Sequence, residues 1–177
     1  NSNDEKDGVT NYSSNINYEH FLNENTRLFN TIYLRKTKAA YDNSSDYQTG
    51  SERQTGFIGD NRMATLQIGL ENVDINTKNN YIFYYNAYDR EYDERGTIDE
   101  YESEVLGIKY DFSKTVSPKI SLGGGSEYKY DWGKFNNRGS YQASTKGHSE
   151  NLSAYGNLGW NIYKNSNISF FARNDNH

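Results

Sequence analysis

An acidic stretch in the middle of the chain is the first place where residue types suggest chemistry. Half of the side chains between residues 89 and 100 are carboxylates, and Ca²⁺ takes carboxylate and carbonyl oxygens as ligands. The candidate calcium ligands in this predicted loop are Asp89, Asp93, Glu94 and Asp99. Their spacing differs from the EF-hand pattern, and two arginines at 90 and 95 would neutralise part of the charge. A solvated loop without metal is the simpler interpretation.

Aromatic residues in or beside the predicted long connections form the second candidate site. Tyrosine and phenylalanine rings have large faces that stack on a bulky ligand. The alternative is that these rings form an interfacial belt and pack the loops against the rest of the protein. The candidates for ligand contact are Tyr47, Phe57, Tyr92, Phe135 and Tyr141.

The remaining reactive residue types do not form a recognisable catalytic site. The three histidines, His20, His148 and His177, lie far apart and lack metal-ligand spacing. Cysteine is absent, and no serine lies in a nucleophile motif. The glycines at 123–125 precede an alternating strand pattern rather than a helix, so they predict a kink or a close backbone approach instead of a phosphate site. The sequence therefore predicts a protein that is not an enzyme.

The composition is polar but rich in aromatic residues. Mean hydropathy is -1.05 and 33% of residues are hydrophobic, which is low for a packed globule. The 17 Tyr, 8 Phe and 2 Trp argue against disorder and suit strands and membrane interfaces. The net charge is -5 and the chain has no basic run. A nucleic-acid partner is therefore not expected.

Apolar and polar residues alternate along most of the chain. In residues 152–162, Leu152, Leu158 and Trp160 share one side, and Ser153 and Asn157 share the other. Alternation with a period of two indicates a strand with one apolar and one polar face, here about twice the usual length in soluble proteins. Repeated along the chain, this pattern is typical of a transmembrane β-barrel in which one face meets lipid. The residues predicted to face lipid are Leu66, Ile68, Leu70, Phe83, Leu106, Ile108, Ile120, Leu122, Leu158 and Trp160.

The pattern predicts an all-β antiparallel meander of eight strands in a single barrel domain over residues 1–177. The strands are expected at 9–20, 26–41, 63–73, 80–92, 100–113, 119–132, 150–163 and 167–176. Short connections at 21–25, 74–79, 114–118 and 164–166 alternate with long ones at 42–62, 93–99 and 133–149. Short turns on one side and long loops on the other are typical of barrels in the bacterial outer membrane. In the second strand the face is ambiguous, because Leu28 and Ile32 alternate with Phe29 and Tyr33.

Three segments resemble the mid-barrel region of TonB-dependent outer-membrane receptors, above all the vitamin B12 and siderophore receptors. These segments are the strand Leu122–Tyr128, the strand Asn151–Leu158 after a polar loop, and the strand Ile168–Asn176 after a tight turn. The Arg173-Asn174-Asp175 ending carries most of the resemblance, and Tyr84–Tyr92 fits more loosely. The resemblance covers residues 60–177.

The resemblance implies an internal piece of a 22-stranded barrel in the outer membrane of a Gram-negative bacterium. A plug domain and a TonB box are not recognisable in this sequence, so the plug is expected elsewhere. Such receptors import a scarce metal chelate, cobalamin or a ferric siderophore, with energy from TonB. The expected partners are the lipid bilayer, the chelate and TonB.

Two other interpretations remain open at this point. In a complete eight-stranded barrel with a structural or adhesion role, the lumen would be filled by inward side chains. The inward candidates are Lys109, Asp111, Glu127, Lys129 and Asp131. In a soluble β-sandwich adhesin or binding module, the outward aromatics would instead form a core.

Overall fold

One antiparallel sheet contains all the strands in the part of the chain that the structure describes. The computed structural model describes residues 8–41, 57–94, 97–139, 142–163 and 166–176. Each strand pairs with its neighbours in sequence order, as the alternation predicted. The strands are β1 (Gly8–Asn23), β2 (Thr26–Tyr41), β3 (Phe57–Val73), β4 (Thr77–Glu94), β5 (Thr97–Ser117), β6 (Ile120–Arg138), β7 (Ala143–Tyr163) and β8 (Ser166–Asn176). The predicted all-β antiparallel meander is confirmed.

Several strands are longer than the sequence pattern predicted. The connection predicted at 93–99 is wrong, because β4 and β5 stay paired up to Glu94 and Thr97. Most of the connection predicted at 133–149 is also strand, since β6 and β7 pair as far as Asn137 and Ala143. The side chains in these extensions are largely polar on both faces, so the alternation that marked the strands disappears while the backbone pairing continues.

The register sorts the side chains into two chemically different faces. Directly paired residues of antiparallel strands point to the same side of the sheet. The pairs Leu66–Tyr85, Phe83–Ile108 and Leu122–Leu158 therefore define one side, which we call the apolar face. All ten residues predicted to face lipid lie on it. The opposite side, which includes Gln67, Lys109 and Glu127, we call the polar face.

The register also resolves the ambiguity in β2. Ile32 pairs with Ile16 and with Leu66, so Leu28, Ile32 and Leu34 lie on the apolar face. Phe29 and Tyr33 lie on the polar face. Phe29 packs over its direct partner Gly69, where a methyl group would collide with the ring.

Three aromatic–glycine pairs follow one pattern on the polar face. Phe29 covers Gly69, Tyr84 covers Gly107 and Tyr155 covers Gly125, each ring lying over its direct cross-strand partner. A ring that covers a neighbouring glycine restores side-chain contact that the glycine cannot make and helps to fix the register. Gly125 belongs to the triple glycine, and a methyl group there would also meet the backbone oxygen of Tyr110, which agrees with the close backbone approach predicted for that motif.

The apolar face is uncovered in the part of the chain that the structure describes. Ile108 and Phe170 are each 59% exposed on it. Among the described strands, β1 pairs only with β2 and β8 only with β7, so the sheet is open. A complete eight-stranded barrel would pair β1 with β8, and a sandwich would lay a second sheet on the apolar face. The described residues show neither arrangement. They also contain no helix long and apolar enough to cross a membrane.

Candidate ligand-binding face

The centre of the polar face carries a network of charged side chains on β5 and β6. Lys109 Nζ lies 3.1 Å from Asp111 Oδ2, and Lys129 Nζ lies 2.8 Å from Asp131 Oδ2. Lys109 and Glu127 are direct partners across the two strands. The five residues that the sequence placed inward therefore do share the polar face. Opposite charges lie side by side along it, so a polar ligand or water could contact them without an unpaired charge being buried.

An aromatic cluster lies on the polar face near the ends of β4 and β6 and near the start of β5. Arg90, Tyr101 and Phe135 are successive cross-strand partners on β4, β5 and β6. The rings of Tyr101 and Phe135 are tilted against each other with centroids 4.7 Å apart. The Arg90 guanidinium carbon lies 5.9 Å from the centroid of the Tyr92 ring. We call Arg90, Tyr92, Tyr101 and Phe135 the aromatic platform.

The platform offers a cation beside three rings on one side of the sheet. Arg90 is exposed, and Tyr101 is 42% exposed, so both are accessible from the polar side. Asn137, next to the platform, donates a 2.5 Å hydrogen bond from Nδ2 to Asp99 Oδ1 and ties the ends of β5 and β6 together. Rings and a guanidinium together suit a flat or bulky ligand that carries negative charge.

Two of the five predicted ligand-contact residues belong to the platform. Tyr92 and Phe135 lie on the same face, on β4 and β6. Phe57 begins β3, but its side chain is outside the described part of the chain, and Tyr47 and Tyr141 also lie outside the described residues. The sequence reasoning missed Arg90 and Tyr101. Tyr101 is eight residues before Lys109, which the alternation had placed inward, so the same pattern could have identified it.

The predicted calcium ligands whose side chains the structure describes do not converge. Asp89 and Asp93 share the apolar face of β4 with Phe83 and Tyr85, whereas Asp99 pairs with Tyr92 and lies on the polar face. The side chain of Glu94 is outside the described part of the chain. The prediction of one acidic loop is therefore wrong, because the segment is two paired strands that separate these carboxylates. In the described ranges, no three His, Cys, Asp or Glu side chains are grouped so that they could hold a metal ion.

Comparison with known proteins identifies the fold. No known family model matches the sequence. No curated protein matches it either. Among solved structures, the ferric citrate transporter FecA superposes with a TM-score of 0.71 over 97% of this chain and 30% of FecA, at 16% identity. The outer membrane transporter YddB from Escherichia coli gives a TM-score of 0.71 over 93% of this chain and 27% of YddB, at 8% identity.

A third structure extends the same likeness. The ferric-catecholate import receptor Fiu from E. coli K12 superposes with a TM-score of 0.68 over 93% of this chain and 35% of Fiu, at 12% identity. The chain thus spans about a third or less of the length of each of these three proteins. At such low identity the likeness shows the fold, an antiparallel sheet like that in these transport proteins.

Proposed function

We propose that this chain forms part of the barrel wall of an outer-membrane active transport receptor that imports a scarce metal chelate. The fold likeness to an outer membrane transporter, a ferric citrate transporter and a ferric-catecholate import receptor supports the proposal. The receptor class is that of the TonB-dependent receptors, which the three sequence segments resemble. TonB would supply the energy through a plug domain, and the receptor would make and break no covalent bond.

The observation that carries the proposal is the separation of chemistry between the two faces of one sheet. Ile68, Phe83 and Ile108 are successive partners on the apolar face. Gln67, Tyr84 and Gly107 form the adjacent row on the polar face. A sheet with one uncovered apolar side and one charged side is stable where lipid covers the first and water reaches the second. Such a wall places the aromatic platform on the luminal side.

The platform suggests the class of chelate. Arg90 adds positive charge next to Tyr92 and Tyr101. An arginine guanidinium binds carboxylates and other anions through paired hydrogen bonds, and aromatic rings stack on flat ligand groups. A ferric siderophore with negative charge satisfies both requirements. Cobalamin is the other chelate that the resemblance to the vitamin B12 receptors allows, and a direct comparison separates the two.

The test uses the protein that contains this chain, purified in detergent and titrated by tryptophan fluorescence. The ligands are a ferric catecholate siderophore, ferric citrate and cyanocobalamin, each compared with its metal-free form. We expect saturable binding of a ferric siderophore that weakens up to about tenfold in Tyr101→Ala, the scale of one aromatic contact. Arg90→Gln should weaken it similarly.

The matched control is Tyr33→Ala, a tyrosine on the same polar face but on β2, outside the platform. It should bind as the unchanged protein does. If none of the three chelates binds to folded protein, the import function is wrong. If one binds and all three variants bind equally, the receptor function stands, but the platform is not its ligand site.

A further inference from the structure

A groove crosses the apolar face where it changes from apolar to charged. Its volume is about 400 Å³. The floor follows one row of direct cross-strand partners, Ser14, Leu34, Ala64 and Ala87, on β1 to β4. The next row, farther from the short turns that join β1 to β2 and β3 to β4, forms the rim. It consists of Tyr12, Lys36, Arg62 and Asp89.

The shape of the groove follows from side-chain size. On one side of the floor runs the row Ile16, Ile32, Leu66 and Tyr85, which is bulky. On the other side Tyr12, Lys36 and Arg62 extend as long side chains. Ser14, Ala64 and Ala87 are small, so the sheet surface is lower between these two rows. Adjacent strands are about 4.8 Å apart, so a floor that spans four strands is about 14 Å long.

On β2 and β3, the rim and the row beyond it carry more positive charge than the one carboxylate there, Asp60, can balance. Lys36 Nζ lies 3.3 Å and Lys38 Nζ 3.6 Å from Asp60 Oδ2, and Arg62 Nε lies 3.4 Å from Asp60 Oδ1. Three cations thus share one carboxylate. On β4, Asp89 borders the groove and Glu91 is the direct partner of Asp60, so the negative side of the rim is there. The cationic end of the groove is at β2–β3.

From this arrangement we propose that the groove binds a lipid that carries a phosphate head group. The acyl chain lies on the floor formed by Leu34, Ala64 and Ala87, and the phosphate contacts Lys36 and Arg62. The guanidinium of Arg62 contacts Asp60 through Nε, and its two terminal nitrogens are the pair that would hydrogen-bond to phosphate oxygens. The change from apolar to charged rows is also where a lipid head group meets the hydrocarbon region. The inference rests on one part of the proposed function, namely that lipid covers the apolar face.

The test measures lipid retention by native mass spectrometry on the protein that contains this chain. Mixed micelles contain phosphatidylcholine with a small fraction of phosphatidic acid, so that binding does not depend on insertion into a bilayer. We expect phosphatidic acid to be retained in preference to phosphatidylcholine. The double variant Lys36→Gln/Arg62→Gln should reduce this retention about tenfold, the effect of losing charge-assisted hydrogen bonds.

The matched control removes the same charges elsewhere on the apolar face. The control is Lys134→Gln/Arg138→Gln on β6, in comparable charged rows. The direct partners of these two residues are Glu102 and Ile98, and neither residue lines the groove. Its retention of phosphatidic acid should equal that of the unchanged protein. Equal losses in both double variants would mean that general surface charge holds the lipid, and the site would be rejected.

A second variant tests the floor. Ala64→Phe fills the groove and leaves Lys36 and Arg62 in place, so it should lower retention of phosphatidic acid as well. If it changes nothing while Lys36→Gln/Arg62→Gln does, the cations bind phosphate alone and the lipid site is wrong. Glycerol phosphate should fail to displace the lipid, because it has no acyl chain to lie on the floor. Failure of metal-chelate binding in the same protein would reject the proposed import function without affecting this measurement.

Discussion

The Tyr84 hydroxyl donates a 2.7 Å hydrogen bond to Glu127 Oε1, although strand β5 lies between the two residues. Tyr84 spans that distance because its ring lies over Gly107, its direct partner on β5, where no side chain stands in the way. The acceptor is a carboxylate, so the bond is stronger than one between neutral groups. One side chain thereby links β4 to β6 on the polar face.

Gly107→Ala should therefore break this link. A methyl group at residue 107 would occupy the space of the Tyr84 ring, and the displaced hydroxyl would lose Glu127. We expect a loss of about 1.5–3 kcal/mol in the free energy of unfolding, the scale of a hydrogen bond to a charged group. Urea unfolding of the protein in lipid vesicles measures it.

Gly133→Ala is the control for Gly107→Ala. Gly133 is on the same polar face of β6, and a methyl group there would meet only the Glu102 carbonyl oxygen, at 3.8 Å. This variant should unfold at nearly the same urea concentration as the unchanged protein. In a Tyr84→Phe background the cost of Gly107→Ala should shrink. An undiminished cost there would show that the collision with the ring, rather than the lost bond, destabilises the variant.

The apolar face gives a second prediction, for Ile68→Arg. Ile68 lies between Asn30 and Phe83 in a central row of that face. An arginine facing lipid near the middle of a bilayer costs roughly 2–4 kcal/mol, and less near its surfaces. We expect the free energy of unfolding, measured in vesicles, to fall by that amount.

Gln67→Arg separates the two faces in the same experiment. Gln67 is the preceding residue of β3 and lies on the polar face. An arginine there meets water or luminal side chains, so the change in unfolding free energy should stay within about 0.5 kcal/mol, as for most surface substitutions. Equal costs for Ile68→Arg and Gln67→Arg would contradict a lipid-covered apolar face.

The sequence predicted the strands and their faces because both depend on a local pattern. Alternation in the β3 stretch Leu66–Leu70 is enough to assign each side chain to a side of the sheet. In β2 the pattern failed, because Phe29 lies on the polar face to cover Gly69 of another strand. That requirement is not local, so residues near Phe29 in the sequence give no sign of it.

The strand ends and the ligand site were harder to predict for a related reason. Beyond the apolar rows, β5 continues through Glu100, Glu102 and Glu104, where charge on the apolar face hides the period of two. The platform depends on the register that aligns Arg90 with Tyr101 and Tyr101 with Phe135. Register between strands is set by pairing and turn geometry, so a position in or beside a predicted connection identified Tyr92 and Phe135 but not their partners across the strands.

Arg27 on the polar face gives the last prediction, since it joins three strands by ion pairs. Arg27 Nη1 lies 2.9 Å from Glu19 of β1, and Nη2 lies 3.0 Å from Glu71 of β3. Arg27→Gln should lower the unfolding free energy by about 1 kcal/mol, the upper range for partly exposed pairs, and less at about 1 M salt, where charges are screened. Arg138→Gln is the control, because Arg138 is more exposed and pairs with Glu100 in a single contact of 2.9 Å. A larger loss in Arg138→Gln, or a loss in Arg27→Gln that salt does not change, would contradict an electrostatic link between β1, β2 and β3.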